Sequence, residues 1–102
     1  MARVSEIAAK VRSKNAGPFW LTIDIFCGSA EAFDRLRGAL GDDRVARALG
    51  CAPAALKRFD IAELSVIKFS LPRPQVQGSI RDRDMHGASF ANLVAELEIE
   101  DA

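Results

Sequence analysis

Phe19-Trp20-Leu21-Thr22-Ile23-Asp24-Ile25-Phe26 is the stretch whose reading decides the fold. Phe19, Leu21, Ile23 and Ile25 fall on one side of an extended chain and Trp20, Thr22, Asp24 and Phe26 on the other, the period of two that marks a β-strand. The first side is wholly apolar and reads as a core face. The second mixes aromatic groups with Asp24, so that face is partly covered or Asp24 looks into a polar pocket. An unpaired buried carboxylate would be costly, and a partner for Asp24 is expected.

Upstream of this strand, Val4, Ile7, Ala8 and Val11 recur at helical spacing, predicting a short N-terminal helix. Between the two lies Arg12-Ser13-Lys14-Asn15-Ala16-Gly17-Pro18, read as a loop. Downstream, Ser29 is placed to cap a helix whose apolar stripe is Phe33, Leu36 and Leu40, with Gly41 as its end. Asp42 or Asp43 opens a second helix through Val45, Ala48 and Leu49 to Gly50, so an αα-hairpin is predicted. Phe59 to Leu71 reads as a second strand region, broken by Pro72 and Pro74. Gln75 to Gly87 is polar and rich in turn residues, a functional loop in this reading. Leu93, Ala95, Leu97 and Ile99 alternate with Glu96, Glu98 and Glu100, predicting a final amphipathic strand. The expected fold is α+β, with helices on one face of a mainly antiparallel sheet. Its core should hold Phe19, Leu21, Ile23, Ile25, Phe33, Leu36, Leu40, Ile67, Phe69 and Leu97.

Size and charge narrow the function. A chain of 102 residues suffices for one core and a single domain, since small domains bury only about two-thirds of their unfolded surface. Fourteen basic residues balance fourteen acidic ones, so no net positive field draws a phosphate backbone, and no nucleic-acid partner is expected. No stretch approaches the roughly 20 apolar residues of a membrane span, and residues 1–6 do not read as a secretory signal. No membrane partner and a cytoplasmic location are the expectations. Cys27 and Cys51 lack the CxxC spacing, and free thiols, buried or half-buried, are predicted. With no tyrosine and one histidine, acid–base chemistry falls to His86, the carboxylates and the lysines.

Three groups of residues could carry chemistry. Arg12 to Gly17 gathers a guanidinium, an ammonium, a hydroxyl and an amide, which suits an anion: Arg12 can fork a carboxylate or phosphate, Asn15 can orient a carbonyl, and Gly17 permits close backbone approach. A solvated loop is the plainer alternative, and the spacing is not that of a P-loop. Lys68 interrupts an apolar strand and would either reach solvent or meet Asp24, as a structural ion pair or a polar site. Asp82, Asp84 and His86 are two apart, as metal ligands could be, but Arg81 and Arg83 neutralise them, and a solvated loop is favoured over a metal site.

The run Val11-Arg12-Ser13-Lys14-Asn15-Ala16-Gly17-Pro18-Phe19, followed by Leu21-Thr22-Ile23-Asp24-Ile25, resembles the signature of a small domain-of-unknown-function family of bacteria, archaea and fungi. Ile67-Lys68, Pro72-Arg73-Pro74, Gly78, Asp82, Asp84 and Gly87-Ala88 continue the resemblance in order along nearly the whole chain. Members of that family accompany, or are fused behind, acyclic terpene utilisation (AtuA-like) proteins, whose C-terminal domain looks like a ferredoxin-type fold with a comparable loop before a strand. The resemblance implies a ferredoxin-like α+β domain that is a small or accessory subunit, with an AtuA-like larger subunit as partner. Hydratase, dehydratase or lyase chemistry on an acidic small molecule or acyl-CoA would follow. Where the family continues Gly-Ala with two glutamines, this chain has Ser89-Phe90, which removes those amides.

Lys14, Asp24 and Lys68 are thus the candidate catalytic residues, with Arg12, Ser13, Asn15, Gly17, Arg73, Asp82, Asp84 and His86 as candidates for substrate binding. No metal and no cofactor are expected. A non-catalytic assembly module and a free-standing homodimeric ligand-binding protein are the competing readings, so a homo-oligomer is the further possible partner.

Overall fold

The computed structural model describes residues 2–17, 19–72 and 90–99. In chain order these form β1 (Ala2–Arg3), α1 (Val4–Ile7), β2 (Lys10–Asn15), β3 (Trp20–Phe26), α2 (Ala30–Ala39), α3 (Asp42–Leu49), β4 (Lys57–Ile61), β5 (Val66–Pro72), α4 (Phe90–Ala95) and β6 (Glu98–Ile99). β2, β3, β5 and β4 lie side by side in that order in an antiparallel sheet, and β1 pairs with β6 in a separate antiparallel ribbon. The helices pack on one face of the larger sheet. The architecture is therefore α+β, as the patterning predicts, and compatible with a ferredoxin-like type.

β3 is the strand that the alternation foretells. Leu21, Ile23 and Ile25 are fully buried, joined on the same face by Ile67, Phe69 and Leu71 of β5. Phe33 and Leu36 of α2, Leu40 at its C-cap, and Val45 and Leu49 of α3 close over them. Ser29 caps α2 as predicted, its hydroxyl accepting from the Ala32 N–H at 3.1 Å. Phe19 is a correction. It precedes the strand, sits in the turn and is 59% exposed, so it is not a core residue.

Both ends of the chain fold differently from the periodicity reading. α1 stops at Ile7, and the segment read as the end of a helix and then a loop becomes β2, with Lys10 opposite Phe26 and Asn15 opposite Leu21. Val11, Ser13 and Asn15 alternate with Lys10, Arg12 and Lys14, a period of two concealed beneath the helical spacing of Val4, Ile7, Ala8 and Val11. A two-turn helix is marginal by itself, whereas the strand gains a ladder along β3. Gly28 makes the adjoining turn possible, because at its φ of 88° a Cβ would lie 2.9 Å from the Ala9 Cβ. At the other end Phe90–Ala95 is helical, with Ala91 and Val94 buried three residues apart, and Leu93 is exposed. Of the described residues in this segment, Glu98 and Ile99 are strand, and Leu97 is partly buried against the core. The region from Phe59 to Leu71 is two strands, divided by a 3₁₀ turn at Ala62–Leu64.

Arg58 of β4 joins the sheet to the helical hairpin. Its guanidinium donates to the Leu40 carbonyl at 2.6 Å and the Arg37 carbonyl at 3.1 Å, two acceptors at the end of α2 that no helical amide reaches. It also donates to Asp42 at 3.0 Å and Asp60 at 2.9 Å, and stacks over Phe69 at 5.7 Å from the ring centre. Burial alone would lower its pKa, but the hydrogen bonds and charges of Asp60 and Asp42 outweigh that and raise it. Replacing Arg58 with Met keeps the stem but leaves these acceptors without donors. We expect a loss of about 2–4 kcal/mol, read from urea unfolding.

Both cysteines are free, Cys27 buried and Cys51 half-buried, as expected. Burial, and secondarily the Asp60 charge, raises the Cys27 thiol above its ordinary value of 9.0. The unfolded thiol ionises first on the alkaline side, so this contribution to stability is intact below pH 9.0 and lost as pH rises through the folded value. Thermal unfolding across pH 8 to 11 should show a steeper alkaline decline for the parent than for Cys27→Ala.

Candidate functional site

With the helices covering the face of Leu21, Ile23 and Ile25, the intervening residues of the four strands point the other way. Their registers set out three cross-strand rows. Lys10, Phe26, Val66 and Ile61 form the first, Arg12, Asp24, Lys68 and Phe59 the second, and Lys14, Thr22, Ser70 and Lys57 the third. Five cations thus surround one carboxylate. Asp24 stands directly between Arg12 and Lys68, each roughly 5 Å away at the Cα. It is half-buried rather than enclosed, and among the described residues no ion pair closes between these three side chains. Arg12, Lys14, Asp24 and Phe26, together with Ser13, line a cavity of 210 Å³.

The alternation of β2 divides the stretch that reads as a single loop. Arg12 and Lys14 belong to the open face. Ser13 and Asn15 are half-buried on the helix side, where the Ser13 hydroxyl accepts from the Ala91 N–H at 2.8 Å and so fixes the start of α4. Ser13 thereby has a structural task. Gly17 is exposed in the β2–β3 turn at a φ of 84°, and nothing lies within 4 Å of where its Cβ would be, so it serves the turn rather than a close approach. Arg73, Asp82, Asp84 and His86, with the loop read between Gln75 and Gly87, lie outside the described residues.

Sequence reading passed over Lys10, Lys57, Thr22 and Trp20. The first two complete the cationic rim, and the Lys57 ammonium lies 5.7 Å from the Trp20 ring centre. Thr22 is 7% exposed, and its hydroxyl is buried with no hydrogen-bond partner among the described residues. The signal that could have found the lysines is the alternation of Lys10, Arg12 and Lys14 itself, once β2 is taken as a strand. A larger groove of 710 Å³ runs along the start of α2, but Glu6, Glu31 and Asp34 outnumber Arg35 on its walls. That charge disfavours anions. Among the described residues no helix is long and apolar enough to cross a membrane, and no group of three metal-ligating side chains gathers.

A family model described as a domain of unknown function, DUF4387, matches residues 4–98. The chain belongs to the DUF4387 family. The match takes in β2, β3, β4 and β5, and with them every residue of the three rows. Comparisons with curated proteins and with solved structures give no match. In this chain the four-stranded sheet has an apolar face under helices and a cationic face that none of the described helices covers.

The orphan hydroxyl of Thr22 gives a direct test of what that face costs. A buried, unsatisfied hydroxyl is destabilising, and Val keeps the same branched shape without it. Thr22→Val should raise stability by about 1 kcal/mol in chemical denaturation. No gain would mean that the hydroxyl already has a partner in solution.

Proposed function

We propose that this DUF4387 chain is a small or accessory subunit of a metabolic enzyme, and that its open sheet face supplies the cationic wall of an anion-binding active site. The observation that carries the reading is the row Arg12, Asp24 and Lys68, with Lys14 beside it, on a face that none of the described helices covers. Its cavity of 210 Å³ is below the roughly 300 Å³ at which a pocket encloses a drug-sized ligand, so a second chain has to supply the opposite wall. The resemblance to families that accompany AtuA-like proteins supports an AtuA-like larger subunit as that chain. Cytoplasmic metabolism is the setting this reading implies.

The chemistry that suits this arrangement is hydration, dehydration or another lyase reaction on a carboxylic acid or acyl-CoA. Arg12 holds the substrate carboxylate or phosphate through its planar fork, with Lys14 adding charge. In the dehydration direction Asp24 takes the proton from the carbon next to the acyl group, and Lys68 gives a proton to the departing hydroxyl. The electrons of the broken C–H bond form the new double bond, and water leaves. No external oxidant or reductant is needed.

Exposed Phe19 and Trp20 at the β2–β3 turn favour a second reading, a module that only holds a partner in place. The two separate on co-expression with an AtuA-like chain. Arg12→Ala and Lys68→Ala should leave the complex intact by size-exclusion chromatography while lowering turnover by 10²-fold or more, on the order expected for a lost charge contact in an active site. Loss of assembly with unchanged specific activity in the remaining complex would favour the module, and full activity of the large chain alone would overturn the catalytic role.

A further inference from the structure

Among the described residues β4 is an edge strand of the sheet, and it carries a self-complementary pattern that the open-face reading does not use. The Cys27 N–H donates to the Ser65 carbonyl at 2.9 Å, one step beyond the Phe26–Val66 pair. Since an antiparallel strand turns its backbone groups alternately to either side, the odd-numbered residues of β5 face β3. Val66, Lys68 and Ser70 therefore face β4, where they meet Ile61, Phe59 and Lys57. This leaves Arg58 and Asp60 as the two β4 residues whose amides and carbonyls point outward. The strand has no proline and no bulge to blunt it, and Phe59 is 49% exposed there.

A second copy can pair with this edge about a twofold axis in three registers that match outward groups. Arg58 opposite Arg58 and Asp60 opposite Asp60 each set like charges face to face, which is destabilising. The remaining register sets Arg58 opposite Asp60 twice, so that each pair exchanges both backbone hydrogen bonds and the ion pair that Arg58 and Asp60 close within each chain at 2.9 Å lies head to tail against the same pair of its copy. Phe59 then faces its own copy on the open side, and Lys57 faces Ile61. We propose that the chain forms a homodimer through β4 in this register, joining two four-stranded sheets into one. The argument does not depend on the anion site, and its test uses the chain alone.

The test is sedimentation equilibrium combined with cysteine cross-linking in a Cys51→Ser background. The parent should sediment at twice the mass of one chain, and Phe59→Lys, which leaves the Arg58 contacts in place, should shift it to the monomer with its circular dichroism unchanged. Phe59 occupies the closely spaced, non-hydrogen-bonded position opposite itself, about 4.5 Å at the Cα, which a disulfide can span. Phe59→Cys should therefore cross-link on mild oxidation. Lys57→Cys and Ile61→Cys should each fail alone and cross-link when mixed. A monomeric parent, or a dimer in which positions 57 and 61 self-link as readily as 59, overturns the proposal. Should Phe59→Lys alone remain fully dimeric, with two ammonium groups then face to face, the register is wrong.

Discussion

The structure depends on one guanidinium held between two layers. An α/β pair of layers is kept in place chiefly by apolar contact, which fixes distance well and angle poorly. Arg58 supplies the angle. Its side chain reaches from β4 to the closing carbonyls of α2 and the opening carboxylate of α3, so the hairpin corner is fixed to one point on the sheet. Its stem lies over Phe69, which brings the polar clamp and the apolar core together at a single residue. The charge is tolerated because every direction in which it points offers an oxygen.

Fixing the helices to one side determines what the other side can be. Alternation along four strands delivers apolar groups to the helices and leaves lysines, an arginine and hydroxyls outside together with Phe26, Phe59, Ile61 and Val66, so the second face is mixed rather than wholly polar. What departs from a simple solvated face is the placing of Asp24 in the middle of the cations, beside a buried hydroxyl that finds no partner among the described residues. A sheet selected for stability alone would place valine at position 22. The polar groups are retained at a cost, as expected where a surface is used.

Much of the fold is legible in the sequence because its strongest signals are also its most buried elements. β3, the α2–α3 hairpin and the core positions from Leu21 to Phe69 follow from spacing and caps. The misreadings share a cause: residues 4–15 and 90–99 each satisfy two periodicities at once, and tertiary pairing decides between them. Val11 fits both a helical stripe and the inner side of β2, and β3 is what selects the strand. For the site, Asp24 and Lys68 could be paired because each breaks an apolar pattern. Ser13 and Asn15 fall together with Arg12 when the stretch is read as a loop, because a loop has no faces, and a strand does. Arg58 has only Asp60 nearby in sequence, and the partners that tie it to the helices lie sixteen to twenty-one residues away.

The ribbon of β1 and β6 has a topological consequence. Ala2 lies opposite Ile99 and Arg3 opposite Glu98, while the Val4 N–H donates to the Leu97 carbonyl at 2.9 Å. The two ends of the described fold are neighbours, so the domain is closed into a loop in all but the covalent sense. A polypeptide attached before residue 2 and one attached after residue 99 would leave from the same spot on the surface. Gene order in a fusion would then be nearly immaterial to how the domain is presented, and a circular permutation that joins these ends would preserve every strand pairing of the larger sheet.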